Sequence, residues 1–68
     1  MTLRQKQVLD YVNKFIQDKG YSPSLAEIAK HLGVSGPAAR GHVQMLIKRN
    51  YLTHIPGAAR SIQVNNIF

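Results

Sequence analysis

Sixty-eight residues with 44% apolar content and no cysteine allow one small domain held by apolar packing and helix capping, and exclude a disulfide framework or a thiolate metal site. Nine Lys and Arg outnumber three Asp and Glu for a net charge of +6: Asp10, Asp18 and Glu27 share the first 27 residues with Arg4, Lys6, Lys14 and Lys19, whereas Lys30, Arg40, Lys48, Arg49 and Arg60 meet no acid. A field this one-sided attracts a polyanion, a merely soluble basic domain being the plain alternative. No apolar run approaches the roughly 20 residues of a bilayer span, and the opening "MTLRQKQVLD" has no apolar signal block, so a soluble cytoplasmic protein is expected.

In chain order, Thr2-Leu3-Arg4-Gln5 fits a capping box and predicts a first helix from Leu3 to about Lys19. Val8, Leu9, Val12, Phe15 and Ile16 recur at three- and four-residue steps along it, and Gly20 is suited to end it. "YSPS" then reads as a connector, because the residue before Pro23 is pushed out of helical geometry. Ser24-Leu25-Ala26-Glu27 repeats the capping-box pattern before a short second helix, about Leu25 to Leu32, with Leu25, Ile28, Ala29 and Leu32 as its buried stripe. Gly33 supplies a tight turn. Ser35 is a good cap for a third helix over about Gly36 to Arg49, with Ala39, Val43, Leu46 and Ile47 facing the core.

After Asn50 the period changes. "YLTHI" and "SIQV" are β-prone runs joined by Pro56-Gly57-Ala58-Ala59-Arg60, the turn chemistry of a hairpin spanning about residues 51 to 64. Two strands alone are marginal, so the hairpin is expected to lean on the helices. The tail through Asn65, Asn66, Ile67 and Phe68 shows no pattern; Ile67 and Phe68 are candidates to seed a dimer or to remain an unpacked tail. The expected fold class is mainly α with a small β-hairpin.

The third helix carries helix breakers, and their positions are informative. Pro37 falls in the first turn, where a missing N–H costs little, and Gly36 sits beside the cap. Gly41 lies mid-helix, where glycine costs about 1 kcal/mol relative to alanine. A rotation of about 100° per residue collects Pro37, Gly41, Gln44 and Lys48 on the side away from the core stripe. A side with little bulk and a positive charge suits the second helix of a helix-turn-helix, whose N-terminal half enters the DNA major groove. Close approach of another protein element, or a neutral loss on a solvated face, are the other readings of Gly41.

Candidate DNA contacts follow from side-chain chemistry. Arg40 has the fork for guanine O6 and N7 or for a phosphate, Gln44 the amide for adenine, and Ala38 a methyl for thymine, though each is also ordinary on a helix surface. Ser24 and Ser35 cap helices whose N-terminal amides are ready anion seats. Lys48, Arg49 and Lys30 read as phosphate-neutralising charges or as solvated ones, and Arg60 at the hairpin tip can reach a flanking phosphate or a narrow minor groove. His31, His42 and His54 lie on three different elements without ligand spacing, so no metal or other cofactor is expected, and His42 at the edge of the core stripe is expected to be half-buried. The three carboxylates form no pair and no loop cradles a phosphate, so no enzyme is expected.

With the second helix, Gly33, the third helix and the hairpin in this order, the chain resembles a three-helix winged helix-turn-helix, and more narrowly the N-terminal DNA-binding domain of the LexA repressor family. The resemblance rests on "LRQKQVLDYV", "GYSPSLAEIAKHLG", "HVQML" and "PGAARSIQV", which are spread from Leu3 to Val64 and so span nearly the whole chain. It implies sequence-specific binding to double-stranded DNA by a transcriptional regulator, most simply a repressor, with the third helix in the major groove and the wing on the flanking backbone. A homodimer on a two-fold operator is the expected arrangement, with no membrane and no small-molecule substrate. Two features depart from the family: Gly33 to His42 is one residue shorter, and the third helix lacks the acidic pair and the asparagine of LexA itself, so a different operator is expected. The family's C-terminal half, with its self-cleaving Ser-Lys dyad, is not found in these residues. The rivals are a winged helix that binds protein, and an RNA-binding domain, the latter disfavoured by the lack of paired aromatics on a sheet.

Overall fold

The computed structural model describes residues 2–54 and 62–65. Three helices, α1 (Leu3–Lys19), α2 (Leu25–Leu32) and α3 (Gly36–Lys48), precede two short antiparallel strands, β1 (Leu52–Thr53) and β2 (Gln63–Val64). Each helix begins where its cap dictates. The Thr2 hydroxyl accepts from the Gln5 N–H at 3.1 Å while the Gln5 side chain accepts the Thr2 N–H at 3.3 Å, so both halves of the expected box are present. Ser24 and Glu27 do the same for α2 at 3.2 and 2.9 Å. Gly20 (φ 81°) and Gly33 (φ 69°) end α1 and α2 in the left-handed conformation that glycine adopts without steric cost.

The third helix stops one residue short of its expected end. Arg49 is its C-cap, and Asn50 takes φ 67°, a conformation that asparagine tolerates better than most residues. Asn65 holds this turn to the hairpin: its Nδ2 donates to the Asn50 carbonyl at 2.9 Å, its N–H donates to the Tyr51 carbonyl at 3.0 Å, and its Oδ1 accepts from the Thr53 hydroxyl at 2.6 Å.

The core lies where the three helical stripes meet. Val8, Leu9 and Val12 of α1, Ile28 and Ala29 of α2, and Ala39, Val43 and Leu46 of α3 are buried, with Leu25, Leu32 and Ile47 partly buried against them. The hairpin leans on the helices through Leu52 and Ile62, both in that core, with Leu52 opposite Val64 and Thr53 opposite Gln63. The strands are only two residues each, shorter than the β-prone runs that contain them. Buried Ser22 ties the connector after α1 to the hairpin: its hydroxyl accepts from the Ile62 N–H at 3.1 Å and donates to the Pro23 carbonyl at 2.8 Å. Between α1 and α2, the Tyr11 and His31 rings stack with centroids 4.1 Å apart, Phe15 packs beside Tyr11, and Tyr21 meets Phe15 edge-on. No helix among the described residues is long and apolar enough to cross a membrane.

Candidate nucleic-acid interface

The second and third helices form a pair joined by a three-residue turn, Gly33-Val34-Ser35. The Val34 N–H donates to Ala29 O at 3.1 Å, and Val34 itself packs against the core. The turn is therefore fixed from both sides. Ala39, Val43 and Leu46 anchor α3 from within, which determines which of its side chains face out. Gly36, Pro37, Ala38, Arg40, Gly41, Gln44, Met45 and Lys48 are all exposed. The outward side of α3 thus gathers eight of the helix's thirteen residues, and it carries two cations and no acid.

The start of α3 is open. Ser35 accepts from the Ala38 N–H at 3.2 Å, but position N3 is Ala38, so no side chain returns to the cap and no acid stands in the first turn. The first N–H groups of a helix have no intrahelical partner and bear a partial positive charge, so this end is suited to a phosphate. Pro37 in the first turn costs α3 little, as expected. The start of α2 differs, because the Glu27 carboxylate already sits on it.

Gly41 lies on this outward side with nothing within 4 Å of where a Cβ would stand, the helix's own nearby backbone aside. Among the described residues, then, no protein element approaches it, which removes the close-packing explanation for a mid-helix glycine. The cost of that glycine, about 1 kcal/mol relative to alanine, is not recovered by any contact within the described fold.

Of the other sequence candidates, Ser24 caps α2 and Ser35 caps α3 as expected, while Lys30 and Arg49 are exposed at the C-terminal ends of α2 and α3. Arg60, with the hairpin loop that holds it, and the tail residues Ile67 and Phe68 lie outside the described residues. His42 is half-buried, and His31 is engaged with Tyr11. Sequence reasoning overlooked two residues near this surface. Met45 stands exposed on the outward side of α3, which its rotation from the core stripe by about 120° to 160° already implied. The bridging role of Asn65 had no local signal, since all its partners lie twelve or more residues earlier in the chain.

Three helices with a two-stranded wing, the last helix capped, anchored and presenting an acid-free outward side, define a winged helix-turn-helix domain of the kind that offers one helix to duplex DNA. Residues 1–61 match the sequence profile of the family described as the LexA DNA binding domain. The chain belongs to that family. It is 45% identical over 64 residues to a LexA repressor of Thermosipho africanus, covering 94% of this chain and 32% of the relative. Likenesses of 42% to a LexA repressor of Saccharophagus degradans and 35% to one of Staphylococcus epidermidis cover the same shares. The chain thus spans about a third of the length of these relatives.

Proposed function

We propose that this domain binds double-stranded DNA sequence-specifically as the reading head of a transcriptional repressor, with α3 in the major groove and the wing on the flanking backbone. The observation that carries the reading is the outward side of α3, where Arg40, Gln44 and Lys48 stand exposed without an acid beside a glycine that no described protein contact uses. Arg40 and Gln44 supply the donors that distinguish guanine and adenine in the major groove, and Ala38 offers a methyl to thymine. Gly36, Pro37 and Gly41 keep the backbone close to the bases. Lys48 neutralises phosphate, as does Arg60 from the wing, and the amides at Ser35 seat another. Ser24 is the weaker phosphate candidate, because the Glu27 carboxylate shares its helix end. A module of this size contacts few base pairs, so specificity calls for two copies on a two-fold site, or for the further length that the relatives possess. The DNA in question is cytoplasmic, in the nucleoid.

Selection of binding sites from random duplexes, followed by titration at several salt concentrations, tests this. Enrichment of one motif is expected, with affinity falling by about 0.9 log unit per log unit of salt for each phosphate neutralised. Arg40→Ala is expected to narrow the ratio between the selected site and random duplex, while Arg60→Ala weakens both alike. No enriched motif, or a shallow salt slope with tight binding to a protein, overturns the reading.

A further inference from the structure

We propose that Met45 is a base-reading residue whose thioether, together with the gap left by Gly41 one turn earlier, seats the C5 methyl of a thymine. The inference rests on the reading of α3 as the groove helix and deepens it. Met45 is 38% exposed, whereas the other large apolar residues of α3, Val43, Leu46 and Ile47, are buried or half-buried in the core. Its position on the helix is turned away from the core stripe of Ala39, Val43 and Leu46.

Pro37, Gly41 and Met45 lie on one i, i+4 row of the helix. Helical side chains lean toward the N-terminus, so the Met45 chain is directed toward the turn that holds Gly41. Among the described residues no atom lies within 4 Å of where a Gly41 Cβ would stand, the helix's own nearby backbone aside. Gly41 thus leaves open space between the exposed Pro37 and Met45 of this row, on a helix whose only charged residues are Arg40 and Lys48, both cations. In the major groove the thymine methyl is the one apolar group that a base edge presents. The open space at Gly41 admits a methyl group, and a flexible, polarisable thioether adapts to such a contact. The nearby Lys48 and Arg49 fit the phosphates of the same duplex rather than an uncharged partner.

The test replaces each thymine of the selected duplex, one at a time, by deoxyuridine, which removes the methyl and nothing else. Wild-type protein is expected to lose about fourfold in affinity at one or two positions, the worth of one buried methyl group. Met45→Ala is expected to bind the thymine duplex more weakly by a similar factor and to be indifferent to uracil at that position, while Met45→Leu keeps the preference. Circular dichroism verifies that the variants are folded. A wild type that binds the selected duplex tightly yet ignores every uracil, or a Met45→Ala variant as sensitive to uracil as wild type, overturns the assignment while leaving the groove helix in place. A chain that enriches no duplex overturns both.

Discussion

The two helices of the helix-turn-helix begin alike and part company within three residues. Both α2 and α3 are capped by a serine that accepts the N–H of the residue three positions on, at 3.2 Å in each case. In α2 that third residue is Glu27, whose carboxylate folds back to the cap and settles on the positive end of the helix; in α3 it is Ala38, and nothing returns. The contrast continues along their length. The second helix places Glu27 near Tyr11 and stacks His31 on the same ring, so that its polar groups serve its packing with α1. The third spends Ala39, Val43 and Leu46 on the core and leaves Gly36, Pro37, Ala38, Arg40, Gly41, Gln44, Met45 and Lys48 facing solvent. The start of one helix is satisfied within the fold, whereas that of the other is left open, as the proposed contact with duplex DNA requires.

The most disruptive way to break this comparison is to give α3 the bulk it lacks. Gly41→Leu has open space around it and replaces a poor helix former by a good one. It is therefore expected to stabilise the domain by about 0.8 kcal/mol, roughly 4 to 6 °C in Tm for a chain of this size. The same side chain fills the space that the groove requires and is expected to weaken DNA binding by about 100-fold or more, near 2.7 kcal/mol. Thermal melts and titration of the selected duplex check the pair, and the opposite signs are the point. A leucine that leaves DNA affinity unaltered would show that the outward side of α3 is not the contact surface.

A smaller change makes the two helix starts alike. Ala38→Glu builds in α3 the box that α2 has and is expected to add a few tenths of a kcal/mol to stability, through one more capping bond and a negative charge near the helix start. It also puts that charge where a phosphate is to sit, so affinity is expected to fall about tenfold, with a shallower dependence on salt. In the converse experiment, Glu27→Gln keeps the box of α2 without its charge and is expected to change DNA affinity by less than about twofold. Equal effects of the two substitutions would mean that both helix ends meet the backbone, Ser24 as much as Ser35.

These contrasts were legible to different degrees in the chain itself. Caps are local: Thr2 with Gln5, Ser24 with Glu27 and the left-handed Gly20 and Gly33 each depend on neighbours within a few residues, so spacing alone placed the helices. The core stripes followed from the same period. What was hidden depends on distant partners. Gln5 is buried although polar, because its reciprocal bond with Thr2 lets it lie inward. Ser22 reads as a loop serine, yet it is sealed inside by a bond to Ile62, forty residues away. Among the described residues the two β-prone runs pair over Leu52–Thr53 and Gln63–Val64, and the Asn65 side chain, with bonds to Asn50 and Thr53, ties them to the end of α3. Within the candidate site, the outward side was visible in advance except for Met45, but the emptiness around Gly41 needed the packed fold, since it states what the rest of the described chain does not do.

The least effect is expected on the α2 side, where Glu27 and His31 lie against Tyr11 of α1. Burial, and secondarily the negative charge of Glu27, raise the Tyr11 hydroxyl above its ordinary value of 10.0. A raised pKa means that the folded chain holds the phenolic proton more tightly than the unfolded one. The associated stability is therefore complete below the unfolded value and is lost as pH climbs through the folded one. Tyr11→Phe removes the titration while keeping the ring that stacks on His31. Wild-type Tm is expected to decline more than that of the variant between pH 10 and the raised value, with matching behaviour at neutral pH, as melts across that window would record. DNA affinity at neutral pH is expected to be unaffected, since nothing on the outward side of α3 changes. Loss of binding in Tyr11→Phe would place the contact surface on α1 and α2, and with it would fall the division of labour between the two helices.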